Sequence, residues 1–363
     1  MTSDDVQRLF SGTRPVADAH AFDIRRLRDY MREQVDGFSG ELHIEQFKGG
    51  QSNPTFRLEA GGQRYVMRRK PPGVLLPSAH AVDREFRVIR ALADTDVPVA
   101  HAYALCEDVE VIGAAFYIME YVEGRIFWGS SLPGLSSGER GALYDEMNRV
   151  IAALHSVDPG AVGLANYGKP GNYIERQIAR WTKQYRAAET GRIEAVDCLI
   201  DWLPRHIPAG DESRIVHGDY RLDNVIFHPT EPRIVAVLDW ELSTLGHPLA
   251  DFAYHCMTWR MPEHQGRGLA GIDLDALGIP DEAIYLQRYL QRVSRASTDT
   301  VSDANWGYYL VFNLFRLVGI LQGVYARALQ RNASSAMALE VGKRTRPLAE
   351  DAWSLAQRID ALR

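Results

Sequence analysis

The sequence predicts an α+β protein in two lobes: an N-lobe over 1–122 built on antiparallel strands, and a larger, mainly helical C-lobe over 123–363. Three observations predict it. Early apolar runs, Leu42 to Phe47, Thr55 to Ala60 and Gln63 to Arg68, are short and punctuated by tight turns such as Gly61-Gly62. After Gly124, apolar residues recur at helical spacing near 138–156, 173–188, 193–203, 248–258, 281–295, 303–331 and 336–361. One strand pair interrupts that helical half: Val225-Ile226-Phe227 and Ile234 to Leu238, joined through His228-Pro229-Thr230-Glu231-Pro232.

The elements follow in order. A helix over Ala21 to Val35 packs on or beside the N-lobe. The loop Lys48-Gly49-Gly50-Gln51-Ser52-Asn53-Pro54 separates the first strand from the hairpin, and could lay backbone N–H groups and the Ser52 hydroxyl over phosphates. Ser78 caps a helix running to about Ala93, with Val82, Phe86, Ile89 and Leu92 on its buried stripe. Phe116 to Gly124 is an apolar strand ending in a polar break. Segments 124–136 and 259–280 are Gly-, Pro- and Ser-rich loops that could rim a substrate cleft, while Tyr308, Tyr309, Phe312 and Phe315 belong to a core helix.

Composition narrows the function classes. A net charge of −6 argues against a nucleic-acid surface. No apolar run reaches the ~18–20 residues of a membrane span, and the acidic Met1-Thr2-Ser3-Asp4-Asp5 start lacks a signal-peptide core, so a cytoplasmic protein without membrane contact is expected. Cys106, Cys198 and Cys256 form no metal motif or disulfide framework. Oligomeric state is not legible.

The chemistry is concentrated in His217-Gly218-Asp219-Tyr220-Arg221-Leu222-Asp223-Asn224 and Asp239-Trp240-Glu241. Paired antiparallel, the strand pair between them places Asn224 and Asp239 at its open end, where an amide oxygen and a carboxylate can share a hard cation. Mg²⁺ takes oxygen ligands and keeps several waters, so these two groups and nucleotide phosphates suffice. Asp219, on the incoming loop, can orient an attacking hydroxyl and accept its proton, which is what a loose phosphoryl transition state requires. Each residue alone reads as a cap or turn; the joint pattern reads as a phosphoryl-transfer site. His217 is expected to brace the loop, and Asp251 to cap its helix or brace the loop after Asp239.

These motifs resemble the protein kinases, but with His-Gly-Asp for His-Arg-Asp and Asp-Trp-Glu for Asp-Phe-Gly. They are more similar to the aminoglycoside phosphotransferase and choline kinase branch. Leu238 to Ala253, reading Leu-Asp-Trp-Glu-Leu-Ser-Thr-Leu-Gly-His-Pro-Leu-Ala-Asp-Phe-Ala, most closely resembles the phosphotransferase domain attached to acyl-CoA dehydrogenases in some eukaryotic proteins and free-standing in bacteria. The resemblance implies a bilobal protein-kinase-like fold, ATP and Mg²⁺ as cofactors, and transfer to the hydroxyl of a small molecule.

It also implies roles for residues the spacing leaves open. Gly50, Ser52 and Asn53 match a Gly-Gly-x-Ser-Asn phosphate loop. Arg68 stands where kinases keep the phosphate-holding lysine, with Lys70 on the same strand face as the alternative and Glu85 as the helix partner. Adenine would meet backbone groups from Glu120 to Val122, and Glu241 would join the metal shell or brace it. Arginine in place of lysine also motivates a second reading, a nucleotide-binding regulatory protein that has lost turnover. A protein kinase is disfavoured, because no Asp-Phe-Gly to Ala-Pro-Glu segment is present.

The acceptor is legible only as charge. Residues 255–300 hold six acidic side chains (Glu263, Asp273, Asp275, Asp281, Glu282, Asp299) against five basic ones, no cleft for a polycation, and the balance turns basic over 301–346. Arg316 lies inside Val311 to Val318, where an unpaired charge is costly to bury, so it needs a carboxylate or an anionic ligand. The expected acceptor is therefore anionic, with Arg316 a candidate contact; acyl-CoA relatives imply a hydroxylated acyl or acyl-CoA compound.

Overall fold

The computed structural model describes residues 12–48, 53–71, 81–210, 212–262, 268–293, 301–330 and 338–361. Strands β1 (Thr13–Arg14), β2 (His43–Phe47), β3 (Thr55–Ala60), β4 (Gln63–Arg69), β5 (Ala102–Cys106) and β6 (Phe116–Glu120) form one antiparallel sheet in the order β1-β2-β3-β4-β6-β5. Alternation along β3 turns Phe56, Leu58 and Ala60 to one face, where they meet Leu27 and Met31 of helix α1 (Ile24–Gln34). Asp23 starts α1 by accepting from the Arg25 and Arg26 N–H groups. The described part of the next helix, α2 (Val82–Leu92), covers the opposite face; the expected cap Ser78 lies outside the described residues.

Beyond β6 the chain is mainly helical. Helix α3 (Ser137–Ser156) begins in a capping box between Ser136 and Glu139. Helices α4 (Tyr173–Ala187), α6 (Pro248–Cys256) and α9 (Thr345–Asp360) pack around the central α8 (Asp303–Leu329); α5 (Glu194–Trp202) and α7 (Glu282–Arg292) flank them. By length and composition α8 could cross a membrane, which corrects the expectation that no apolar run is long enough. Its apolarity is spent on the core: Phe312, Leu314, Phe315 and Val318 are all buried.

Two small ladders shape the cleft. β8 (Val225–Phe227) pairs with β9 (Ile234–Val237), and β7 (Arg214–Val216) pairs with β10 (Thr244–Gly246). The second ladder has no signal as clear as the first, since both strands are only three residues long. It ties the segments flanking the His217 loop and the Asp239 turn to one another. Arg125 bonds Phe227 through both backbone groups, so the chain leaving β6 is pinned to the first ladder. Gly124 permits that approach: a Cβ there would lie 2.2 Å from the Phe227 carbonyl oxygen.

Candidate active site

The β8–β9 register, with Val225 opposite Val237 and the Leu238 N–H donating to the Asn224 carbonyl at 2.8 Å, brings Asn224 and Asp239 to one end of the pair. Asp239 itself is left-handed, φ +64°, a conformation rare for a non-glycine residue and found where function demands it. A short turn, Trp240–Leu242, follows at once and is anchored by Trp240 Nε1 donating to Val237 O at 3.0 Å.

The His217 loop is held from beneath. His217 Nε2–H donates to Leu238 O at 2.8 Å while Nδ1 accepts from the Asp219 N–H at 3.2 Å, which sets the tautomer. Asp251, in the first turn of α6, accepts from the His217 and Gly218 N–H groups, each at 2.8 Å, and meets His155 Nε2 at 3.2 Å. Asp251 thus braces the loop before Asp219 and not the one after Asp239. Burial alone would raise its carboxyl, but the bonds from His155 and His217 hold it below the ordinary aspartate range.

Asp219 receives two hydrogen bonds, from Tyr254 Oη at 2.7 Å on Oδ1 and from Asn224 Nδ2 at 3.1 Å on Oδ2, and pairs ionically with Arg221, whose Nε lies 3.1 Å from Oδ1. Asn224 Nδ2 also donates to the Asp219 carbonyl at 2.9 Å. Its amide nitrogen is therefore committed, and the amide oxygen is the group left for a cation. Arg221 also faces the buried Asp223 at 3.5 Å; burial holds the Asp223 carboxyl above the ordinary aspartate range, and Arg221 offsets only part of that rise.

From the N-lobe, Arg68 reaches across the cleft. Its Nε lies 2.9 Å from Glu85 Oε2, and its Nη2 lies 2.5 Å from Asp239 Oδ1 and 3.7 Å from Glu241 Oε2. Burial opposes the charge on this guanidinium, but Glu85 and Asp239 outweigh burial and keep it protonated. Glu85 is held in turn by Asn53 Nδ2 at 2.7 Å and the Tyr117 hydroxyl at 3.1 Å. Asn53 therefore fixes the helix partner of Arg68; Gly50 and Ser52 lie outside the described residues. Lys70 points elsewhere, 3.7 Å from Asp83.

Arg68, Asp223, Asn224 and Asp239 line a cleft of about 830 Å³ whose other walls include Val66, Met119, Ile226 and Val237. Glu120, whose N–H donates to His101 O at 2.8 Å, lines the cleft together with Tyr121 and Val122. The ligand atoms that Asn224 and Asp239 offer in the cleft, and that Glu241 offers near Arg68, are oxygens and suit a hard cation completed by phosphate oxygens and water. Among the described residues no group of three His, Cys, Asp or Glu side chains could hold a metal alone.

Arg316 meets a carbonyl and aromatic rings in place of the expected carboxylate. It is buried, but its Nη2 donates to the Gly218 carbonyl at 2.7 Å and its guanidinium lies 4.5 Å from the centroid of the Tyr254 ring. The backbone acceptor and ring face engage the guanidinium without a carboxylate, while Arg316 Nε keeps no hydrogen-bond partner among the described residues. Tyr254, Arg221 and Tyr117 were not singled out by sequence reasoning. Tyr254 had a faint signal, standing three residues after Asp251 on one helical face.

A six-stranded antiparallel lobe, a helical lobe and a phosphate-ready cleft between them define a protein-kinase-like phosphotransferase fold. The family model of the phosphotransferase enzyme family matches residues 43–293, and the chain belongs to that family. Acyl-CoA dehydrogenase family member 10 of Mus musculus is 47% identical over 347 residues, 95% of this chain and 32% of that protein. Acyl-CoA dehydrogenase family member 11 of Homo sapiens is 41% identical over 348 residues, 94% of this chain and 44% of that protein. The chain thus spans less than half the length of these relatives. A crystal structure from Ralstonia eutropha, described as a candidate aminoglycoside phosphotransferase, is 59% identical with TM-score 0.86, covering 93% of this chain and 99% of that one. The aminoglycoside phosphotransferase APH(4)-Ia in complex with ADP and hygromycin B shares the fold at TM-score 0.58 and 15% identity, over 91% and 98% of the two chains.

Proposed function

We propose that this protein is a small-molecule kinase that moves the γ-phosphoryl group of ATP, with Mg²⁺, to the hydroxyl of an anionic acceptor, a hydroxylated acyl or acyl-CoA compound. The observation that carries the kinase reading is convergence: Arg68 from the N-lobe, paired with Glu85, lines one cleft with Asp239 and Asn224 from the strand pair, and Asn224 is bonded to Asp219 from the loop. Adenine lies against the Glu120 carbonyl and Val122 N–H. Arg68 grips phosphate, a role a permanently charged guanidinium can fill bidentately. Asn224 and Asp239, with Glu241 beside them, hold Mg²⁺, which neutralises phosphate charge when bound. Asp219 accepts the proton as the acceptor oxygen bonds to the γ-phosphorus and the bond to the β-phosphate bridge breaks, releasing ADP.

The acceptor class rests on the named relatives, in which this segment accompanies a protein called an acyl-CoA dehydrogenase, and on the absence of a strongly acidic stretch over 255–300. A panel following ADP release with hydroxyacyl-CoA thioesters, free hydroxy acids, choline and kanamycin-like aminoglycosides tests it. Turnover highest on a hydroxylated acyl compound is expected; higher efficiency on an aminoglycoside overturns the acceptor, and no nucleotide binding overturns the kinase reading. The loss of turnover suggested by arginine in the lysine position is disfavoured, since Arg68 occupies the expected charge network in full.

A further inference from the structure

We infer that Arg68 is an internal counter-cation that makes the metal site nucleotide-dependent, so that the cleft takes a divalent cation with nucleotide and rejects it alone. The inference rests on the metal assignment above and deepens it. One guanidinium faces three carboxylates: Nε lies 2.9 Å from Glu85 in an ion pair, while Nη2 bonds Asp239 and lies 3.7 Å from Glu241. Two of those three are the acidic side chains placed at the metal. A cation already sits against them, and it is nine-tenths buried, so water screens it weakly.

The geometry of arginine matters here. Lysine presents one nitrogen, whereas the guanidinium fork has two ends with separate partners. The Nε end is pinned: Glu85 is 1% exposed and is itself fixed by Asn53 and Tyr117. The Nη2 end is the one that can exchange. A free divalent cation approaching Asp239 meets a positive charge 2.5 Å from its ligand oxygen and must displace it without replacement. When nucleotide accompanies the metal, phosphate oxygens provide the Nη2 end with a new acceptor while Nε stays on Glu85, and Asp239 passes to the metal. The arginine at this position, a departure from the lysine pattern, thus selects metal–nucleotide over metal.

Mn²⁺ binding followed by electron paramagnetic resonance tests this without acceptor or turnover, on the wild-type chain and on Arg68→Met, Arg68→Gln and Lys70→Met. The expected result is weak Mn²⁺ binding by nucleotide-free wild type and Lys70→Met, at least tenfold tighter binding by Arg68→Met or Arg68→Gln, and loss of that gain when Asp239→Asn is added. Nucleotide-free binding by both Arg68 variants no tighter than wild type overturns the inference, as does tight nucleotide-free binding by wild type itself. Circular dichroism confirms that the variants compared are folded, and if neither is, Arg68→Lys, whose single nitrogen replaces the two-ended fork, takes their place, with nucleotide-free binding no tighter than wild type overturning the inference. If a non-hydrolysable ATP analogue fails to promote Mn²⁺ binding in wild type, the metal assignment fails and not the counter-cation alone.

Discussion

Tyr254 donates its hydroxyl to Asp219 Oδ1 at 2.7 Å, and Arg316 lies across the ring of that tyrosine while bonding the carbonyl of Gly218, the residue before Asp219. Helices α6 and α8, distant in sequence, thus fix two consecutive residues of one loop. Burial raises the Tyr254 phenol, so it remains a protonated donor. Tyr254→Phe should lower kcat about tenfold, within the range that misplacement of a reacting group costs. The Michaelis constant for ATP should hardly move, because Tyr254 is not among the residues lining the nucleotide cleft. Steady-state kinetics that show the opposite split would remove Tyr254 from loop positioning.

Asp219→Asn is expected to keep nucleotide binding and lower turnover by about 10²–10⁴-fold, the usual contribution of an oriented base. Calorimetry with an ATP analogue alongside turnover on the best panel substrate separates the two effects. Wild-type turnover in this variant would eliminate Asp219 as the base.

For Asp239→Ala, the expected loss is in the metal-dependent part of nucleotide affinity. Titrations with and without Mg²⁺ should converge in the variant and differ in wild type. An undiminished Mg²⁺ effect would show that the cation is held elsewhere.

Asp251 is expected to be a stability residue. Asp251→Ala leaves the His217 and Gly218 N–H groups buried without acceptors, a cost of about 1–3 kcal/mol for each unsatisfied group. Its folded carboxyl sits below the ordinary value, so its contribution is present at pH above the unfolded-state value near 3.8 and is lost as pH falls through the lower folded value. Urea denaturation at pH 7 and at successively lower pH below 4 reads this. Wild type should lose stability there faster than Asp251→Ala; parallel loss would place the acid sensitivity in other groups.

By itself, the sequence determined the alternation of strands and helices and the bilobal fold, and nominated Asp219, Asn224 and Asp239 as candidate site residues, because turn chemistry and a two-strand pairing act over a few residues. Arg68 and Glu85 could be nominated by register and helix position for the same reason. Tertiary structure alone decided what each polar group meets. Asp251 was visible as a helix-start residue, but whether its carboxylate served its own helix or the His217 loop depended on packing across 34 residues. Arg316 looked like an unpaired charge in an apolar run; its acceptor is a carbonyl 98 residues away, and its second partner is an aromatic face. Local sequence constrains backbone shape, whereas the partner of a buried charge is set by which surfaces the whole chain brings together, since desolvation forces each such group to be satisfied by whatever lies there.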